Sequence, residues 1–543
     1  MSMEKKTQQP QKNNKGFLLG AILSSQVLVI LIGVLSALLI GLLVICFTVF
    51  PLDFQKPTEP ILGSSVPTTP SSTVTQPSSI PTIPTTQPIV TTPPVPPEGG
   101  NYINVGYGYV AEVIQTNIET FDGGKWDDYS HPTNNYLPAG TVDYCAKDIV
   151  YGSGSLRYVQ LRSGHRVYYD KKVYPFPQEP VYQMVKEVKQ YDAWLPDHNE
   201  IGVASFAVDG HHTVLTLNTD WKAPFYFETN QSGYVDPDGG KERDYAVVNN
   251  NITYVDITFC YATVFEGQVT IPVNHPLFKS AQLIKNQSDY TLRLYLRKAG
   301  GFYGWYAYYN DNDQLCFQFL NPTKVVAAAN KYGADLTGVR VLLDVGHGGV
   351  DGGAAVYHCE ACDQNIMASA LKKNKCPTCS GAVEEIYRES DLNMALALAL
   401  KAELESIGAT VILNRTDDSI LNVNDRQTDL LEVSPDICIA IHQNSNDSAS
   451  VRGLFSIYYN SWSELLAERI RERSKENSLY SRHVLQWSAA YFMCRQSVCP
   501  VVLTENGFMS NAEDLTDMVT PEKVEAKASA MAQGIADYFL MIG

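Results

Sequence analysis

Three short segments near the carboxyl terminus end an apolar run in a side chain able to bind a metal or move a proton. They are Asp344-Val345-Gly346-His347-Gly348-Gly349, Ile441-His442-Gln443-Asn444 and Leu503-Thr504-Glu505-Asn506-Gly507-Phe508. Glycines on both sides of His347 let the backbone turn sharply and bring the imidazole into a cleft. A lone histidine is more often a hydrogen-bonded structural group than a ligand, but three such strand ends together point to a hydrolytic centre. Two neutral imidazoles and one carboxylate, with a fourth position left for water, form the usual donor set for zinc hydrolysis. The missing carboxylate is expected between the two histidines, where Glu384, Glu385 and Glu389 are the candidates. Glu389 stands just before Ser390-Asp391-Leu392-Asn393, where a helix opens and can hold a side chain in one orientation.

A second group of chemistry-bearing residues lies between these segments. Cys359-Glu360-Ala361-Cys362 and Cys376-Pro377-Thr378-Cys379 hold four of the eleven cysteines. Two cysteines spaced this way reach one ion from a single turn, so the paired units predict a closed, structural Zn2+ cage distinct from the open hydrolytic site. Two disulfides are the competing arrangement in an oxidising compartment. The spacing within each pair suits a metal knuckle better than a strained short-loop bridge.

From Val339 onward apolar strands alternate with amphipathic helices. Strands are expected at Val339–Asp344, Ala409–Leu413, Asp436–Ile441 and Pro500–Leu503, and helices at Leu392–Ile407, Trp462–Glu476 and Glu522–Met541. This predicts an α/β catalytic domain over 339–543 with a largely parallel central sheet, its ligands gathered at the carboxyl ends of the strands. The four-cysteine knuckle is expected to span 355–383.

Four motifs in this stretch resemble, in order, those of the zinc-dependent N-acetylmuramoyl-L-alanine amidases of the type 3 catalytic domain. They are His347-Gly348-Gly349-Val350-Asp351-Gly352-Gly353-Ala354, Glu389-Ser390-Asp391-Leu392-Asn393, Ile441-His442-Gln443-Asn444 and Glu505-Asn506-Gly507-Phe508-Met509-Ser510-Asn511. The resemblance implies that His347, Glu389 and His442 hold a catalytic Zn2+ and that Glu505 is general base and then acid. It also implies that the substrate is peptidoglycan, cut between N-acetylmuramic acid and L-alanine. Gly352 stands where the family commonly has proline, and Asn506 where it usually has a small or apolar residue. The competing functions are a zinc peptidase acting on wall stem peptides and a catalytically impaired wall-binding protein. Intact His347, Glu389, His442 and Glu505 argue against the second.

The rest of the chain reads as a means of placing that domain. Residues 17–50 are almost wholly apolar, and Val27 to Phe50 carry no charge, a run longer than the ~20 residues a helix needs to cross a bilayer. No small-residue cleavage site follows, so a transmembrane helix is expected rather than a removed signal peptide. Lys5, Lys6, Lys12 and Lys15 make residues 1–16 a basic cytoplasmic tail, which predicts a single-pass cell-membrane protein with an extracellular catalytic domain. Residues 51–99 are rich in Pro and Thr and form a linker. Residues 100–320 alternate apolar and polar residues in short stretches such as Leu156–Leu161, predicting one or two antiparallel β-domains with wall binding as a candidate role. One helix is expected near Val181 to Trp194, and 321–338 reads as a second linker. The tyrosines of Tyr303 to Tyr309 are of the type that stacks on sugars, but in β-rich sequence packing is the commoner use.

At 543 residues the chain is too long for one core. Its formal charge of -17 disfavours a nucleic-acid partner and charge-driven attraction to wall phosphates. A protein activator is left open by the sequence.

Overall fold

The computed structural model describes residues 110–113, 118–122, 131–151, 156–168, 185–188, 195–231, 250–488 and 491–543. The chain divides into two units, Met1–Pro88 and Ile89–Gly543, and the expected basic tail, transmembrane helix and Pro/Thr linker all lie outside the described residues. Among the described residues no helix is long and apolar enough to cross a membrane.

The amino-terminal half of the second unit is β-structure, as its alternation predicts. A seven-stranded antiparallel sheet begins at Val110–Val113. It is followed by a four-stranded sheet, which includes Phe225–Thr229 and Tyr254–Phe259, and a five-stranded sheet, which includes His212–Thr219, Trp305–Tyr309 and Leu315–Leu320. The inward residues of the last two sheets meet face to face: Phe227 stacks on Trp305 with centroids 3.7 Å apart, and Phe225 meets Phe317 edge-on at 4.6 Å. Tyr303 and Trp305 are buried in this packing, while Tyr306, Tyr308 and Tyr309 are partly exposed.

Two expectations change here. Within the helix expected at 181–194, Val185–Val188 is a strand paired antiparallel to Val110–Val113. Its two valines suit a strand as well as a helix face, and pairing with a distant partner decides between them. The segment 321–338 is not a free linker. It carries a small hairpin, Val326–Ala327 with Ala334–Asp335, and buries Val325, Tyr332, Ala334 and Leu336 in the core of the following domain. Burial of these apolar side chains gives the segment a fixed course.

That following domain is three-layered. Its strands are β1 (Arg340–Val345), β2 (Ala355–Cys359), β3 (Gln364–Met367), β4 (Glu384–Arg388), β5 (Thr410–Leu413), β6 (Ile437–Asn444), β7 (Leu454–Tyr458), β8 (His483–Trp487) and β9 (Val501–Phe508). Its helices are α1 (Glu389–Glu405), α2 (Val423–Val433), α3 (Glu464–Glu476), α4 (Phe492–Arg495), α5 (Ala512–Val519) and α6 (Pro521–Ile542). The central sheet has the order β5-β1-β6-β9-β7-β8 and is parallel except where β7 meets β9. The sheet is therefore mixed, and largely parallel as expected.

Alternate residues of β1 face opposite layers. Val341 and Leu343 pack with Leu396, Leu400 and Ile535 of α1 and α6, while Leu342 packs with Leu430 of α2 and Met493 of α4. Both faces are thus covered, which is why these strands read as continuous apolar runs. Strands β2, β3 and β4 form a separate antiparallel sheet, an arm inserted between β1 and α1.

Candidate active site

The parallel register puts the three strand ends side by side. β1 and β6 pair up to Val345 opposite Ile441, and β6 pairs with β9 so that His442 lies opposite Glu505. Glu389 arrives from a different direction, as the first residue of α1, where the helix dipole favours a carboxylate. Sequence spacing left three glutamates in contention, and the fold brings Glu389 in. Glu385 instead pairs with Arg388 and accepts from the Tyr357 hydroxyl at 2.7 Å.

Glu389 is buried, and its Oε1 lies 3.2 Å from His347 Nε2 and 3.1 Å from His442 Nδ1. The two imidazoles stand nearly perpendicular with centroids 5.0 Å apart. An ion with ~2.0–2.1 Å bonds to nitrogen and oxygen has tetrahedral edges of roughly 3.3 Å, so these spacings fit one metal held by all three groups. Burial opposes ionisation of Glu389, but the hydrogen bonds and charges of the two histidines outweigh it and hold the carboxyl well below its usual range. Burial likewise disfavours a charged His347, yet Glu389 and then Asp351 overcome it and raise the imidazole to about 9. A site that asks for positive charge between these groups suits a divalent cation.

Small residues make room for this packing. A Cβ on Gly346 would sit 2.4 Å from the His442 ring, and one on Gly353 would sit 2.6 Å from Glu389 Oε2. His347 itself has φ of 60°, the left-handed region uncommon for a non-glycine residue and concentrated at functional sites.

A further layer of partners, unassigned from sequence, fixes the ligands. Asp351 Oδ2 lies 3.0 Å from His347 Nδ1, the kind of contact that sets which ring nitrogen faces a metal. Glu389 Oε2 accepts the Ala354 N–H at 3.0 Å, and Oε1 accepts the Gln443 N–H at 3.2 Å. Arg415 donates to the carbonyls of Val345, Gly346 and Ser390, and Arg426 to those of Val345 and His347 while pairing with buried Asp344. Asn506 is fully buried, and its amide donates to the His442 carbonyl and the Thr504 carbonyl, each at 3.0 Å. The family departure at this position therefore holds the backbone beneath a ligand. Arg415, Arg426 and Asn506 are remote in sequence from the backbone they hold, whereas Asp351 stands four residues after His347; the signals available were that spacing and the charged and amide run Asn414-Arg415-Thr416-Asp417 after a strand.

Glu505 differs from Glu389 in environment. It is buried with its Oε2 lacking a hydrogen-bond partner, and burial pushes its carboxyl up to about 7, with Glu389 also raising it and the histidines opposing. Two carboxylates in one site with affinities for protons driven apart are a pattern of acid-base chemistry. The arm and α5 border a cavity of about 250 Å³ lined by Val356, Ile366, Met367, Tyr387, Met509 and Leu515, and none of His347, Glu389, His442 and Glu505 lines it.

Residues 341–537 match the family described as N-acetylmuramoyl-L-alanine amidase. The domain is 25% identical over 229 residues to the N-acetylmuramoyl-L-alanine amidase LytC of Bacillus subtilis, covering 41% of this chain and 40% of that protein. It is 26% identical over 215 residues to the probable cell wall amidase LytH of Staphylococcus aureus, covering 40% of this chain and 63% of that one. The chain thus spans less than two thirds of the length of these curated relatives. The solved structure of the N-acetylmuramoyl-L-alanine amidase AmiC2 of Nostoc punctiforme aligns with 38% of this chain and 99% of its own at 26% identity, with a TM-score of 0.30. The amidase-family match covers all four motifs and stops short of the β-rich half.

Proposed function

We propose that the chain is a zinc-dependent N-acetylmuramoyl-L-alanine amidase that hydrolyses the amide joining the lactyl group of peptidoglycan to the stem peptide. The observation that carries this reading is the placement of Glu505, buried with a free carboxylate oxygen, on the strand position opposite His442.

His347, Glu389 and His442 would hold the ion. When bound, zinc supplies a water acidified toward pKa ~7 and Lewis-acid polarisation of the scissile carbonyl. Glu505 takes the proton of the attacking water on its free oxygen and returns it to the L-alanine nitrogen, because an amide nitrogen leaves poorly unless protonated. Asp351 orients His347, and Asn506 fixes the backbone of His442. The chain beyond this domain supports a membrane-tethered setting: residues 17–50 as a single span with a cytoplasmic amino terminus, and 51–99 as an extracellular tether whose proline-rich stretch Pro57 to Pro97 reaches roughly 130 Å at about 3.1 Å per residue.

The test is hydrolysis of a synthetic muramoyl-pentapeptide by wild type and Glu505→Gln, with zinc content measured for both. The reading expects muramic acid and an intact pentapeptide from wild type, and turnover lower by about 100- to 10,000-fold at unchanged zinc in the variant. Cleavage within the peptide, or full turnover by the variant, contradicts it.

A further inference from the structure

The arm built from β2, β3 and β4 poses a stability problem. Its 34 residues between Ala355 and Arg388 form a three-stranded sheet whose distal end, away from α1, buries little more than Cys359, Ile366 and Cys376, with Leu371 and Val383 partly covered. Insertions of this size with so small a core ordinarily need a staple.

The four cysteines stand at that distal end. Cys359 closes β2, and Cys362 follows one turn later, its N–H donating to the Cys359 carbonyl at 3.2 Å. Cys376 and Cys379 form the facing turn, where the Ser380 N–H donates to the Cys376 carbonyl at 2.9 Å. Cys359 Sγ and Cys379 Sγ are 3.6 Å apart, Cys362 Sγ and Cys376 Sγ 3.8 Å, and all four sulfurs lie within 4.8 Å of one another. A tetrahedral ion with Zn–S bonds of ~2.3 Å has sulfur–sulfur edges of roughly 3.8 Å, whereas a disulfide requires about 2.05 Å. The Gly381 N–H also donates to Cys379 Sγ at 3.3 Å.

We infer that Cys359, Cys362, Cys376 and Cys379 bind a second Zn2+ in a closed four-thiolate cage that staples the distal end of the arm. The four thiols give up their protons on binding, and the set leaves no open position for water, so this ion is structural. The inference is independent of the amidase reading, since no ligand is shared between the two sites.

The proximal end of the arm enters the catalytic centre. Ala354, just before β2, donates its N–H to Glu389 Oε2 and accepts the Glu389 N–H at 2.8 Å, and β4 runs directly into Glu389. The stapled sheet is therefore the element that delivers one catalytic-site carboxylate from both flanks.

Zinc content of the purified full chain tests this, with iodoacetamide labelling of the denatured, chelator-treated protein in the absence of reductant. About two zinc ions per chain are expected in wild type, about one in Cys376→Ser and about one in His442→Ala, with all four cysteines alkylated in wild type. Cobalt substitution should give thiolate-to-metal charge-transfer bands that persist in His442→Ala and vanish in Cys376→Ser. If Cys376→Ser fails to fold, wild-type stoichiometry, labelling and cobalt spectra still decide. One zinc per chain that is lost with His442, or cysteines recovered as disulfide-linked pairs, overturns the inference. If the catalytic zinc of the amidase reading were absent, one ion per chain that is kept in His442→Ala and lost in Cys376→Ser would still support the inference.

Discussion

At the scale of single residues, the centre is built by giving chemically similar groups different surroundings. Glu389 is held ionised by two imidazoles and two backbone N–H groups, whereas Glu505, buried without a hydrogen-bond partner on Oε2, keeps its affinity for a proton. His347, His442 and Glu505 were legible because each ends an apolar strand beside residues that permit close approach. The partners behind them were less so: Asp351 stands four residues after His347 in a glycine-rich turn whose course only the fold fixes, and Asn506 is 64 residues from the His442 carbonyl. These contacts carry two expectations. Asp351→Asn should weaken zinc affinity by about 10- to 100-fold, measured by competition with a chelator, while leaving the fold intact. Asn506→Ala removes the buried donor beneath His442 and should cost about 1–3 kcal/mol of stability, measured by denaturant titration. A zinc affinity or a stability equal to wild type would show that the respective contact is dispensable.

At the scale of elements, four strands of the central sheet and three helices follow from apolar patterning, with boundaries shifted by up to five residues. Leu454–Tyr458 and His483–Trp487 were missed because short apolar runs look alike in strands and in buried helix segments. The tertiary setting also overrode the helix reading around Val185–Val188 and the linker reading of 321–338. Two elements from opposite halves of the unit meet at Arg495, which pairs with buried Glu119 at 2.8 and 3.1 Å, while its carbonyl accepts the Tyr136 hydroxyl at 2.6 Å. Removing one partner of such a pair leaves an uncompensated buried charge, typically costing 3–5 kcal/mol. Arg495→Ala should therefore lower the melting temperature and separate the unfolding of the β-rich half from that of the catalytic domain. A single transition at the wild-type temperature would argue against this coupling.

At the scale of the whole molecule, the β-rich half is docked to the catalytic domain: Trp305 donates its N–H to the Ser497 carbonyl at 2.7 Å, and the Ser497 hydroxyl donates to the Trp305 carbonyl at 2.8 Å. This half should also set the acid limit of stability. Burial lowers His165, His212 and His275 each to about 4, so the unfolded chain binds protons that the folded chain refuses. Stability from these groups is present above pH ~6.5 and is lost as pH falls toward 4, by up to about 3 kcal/mol for fully buried His165. Denaturant titrations at pH 7 and pH 4.5 should show the loss, and His165→Asn should reduce it. The central claim, however, concerns chemistry, and mass spectrometry of purified peptidoglycan digested by the full chain tests it most directly, beside a His442→Ala control with zinc measured in both. Intact stem peptides and free lactyl ends from wild type alone are the predicted result. New peptide termini, or equal release by a zinc-depleted control, would contradict the account.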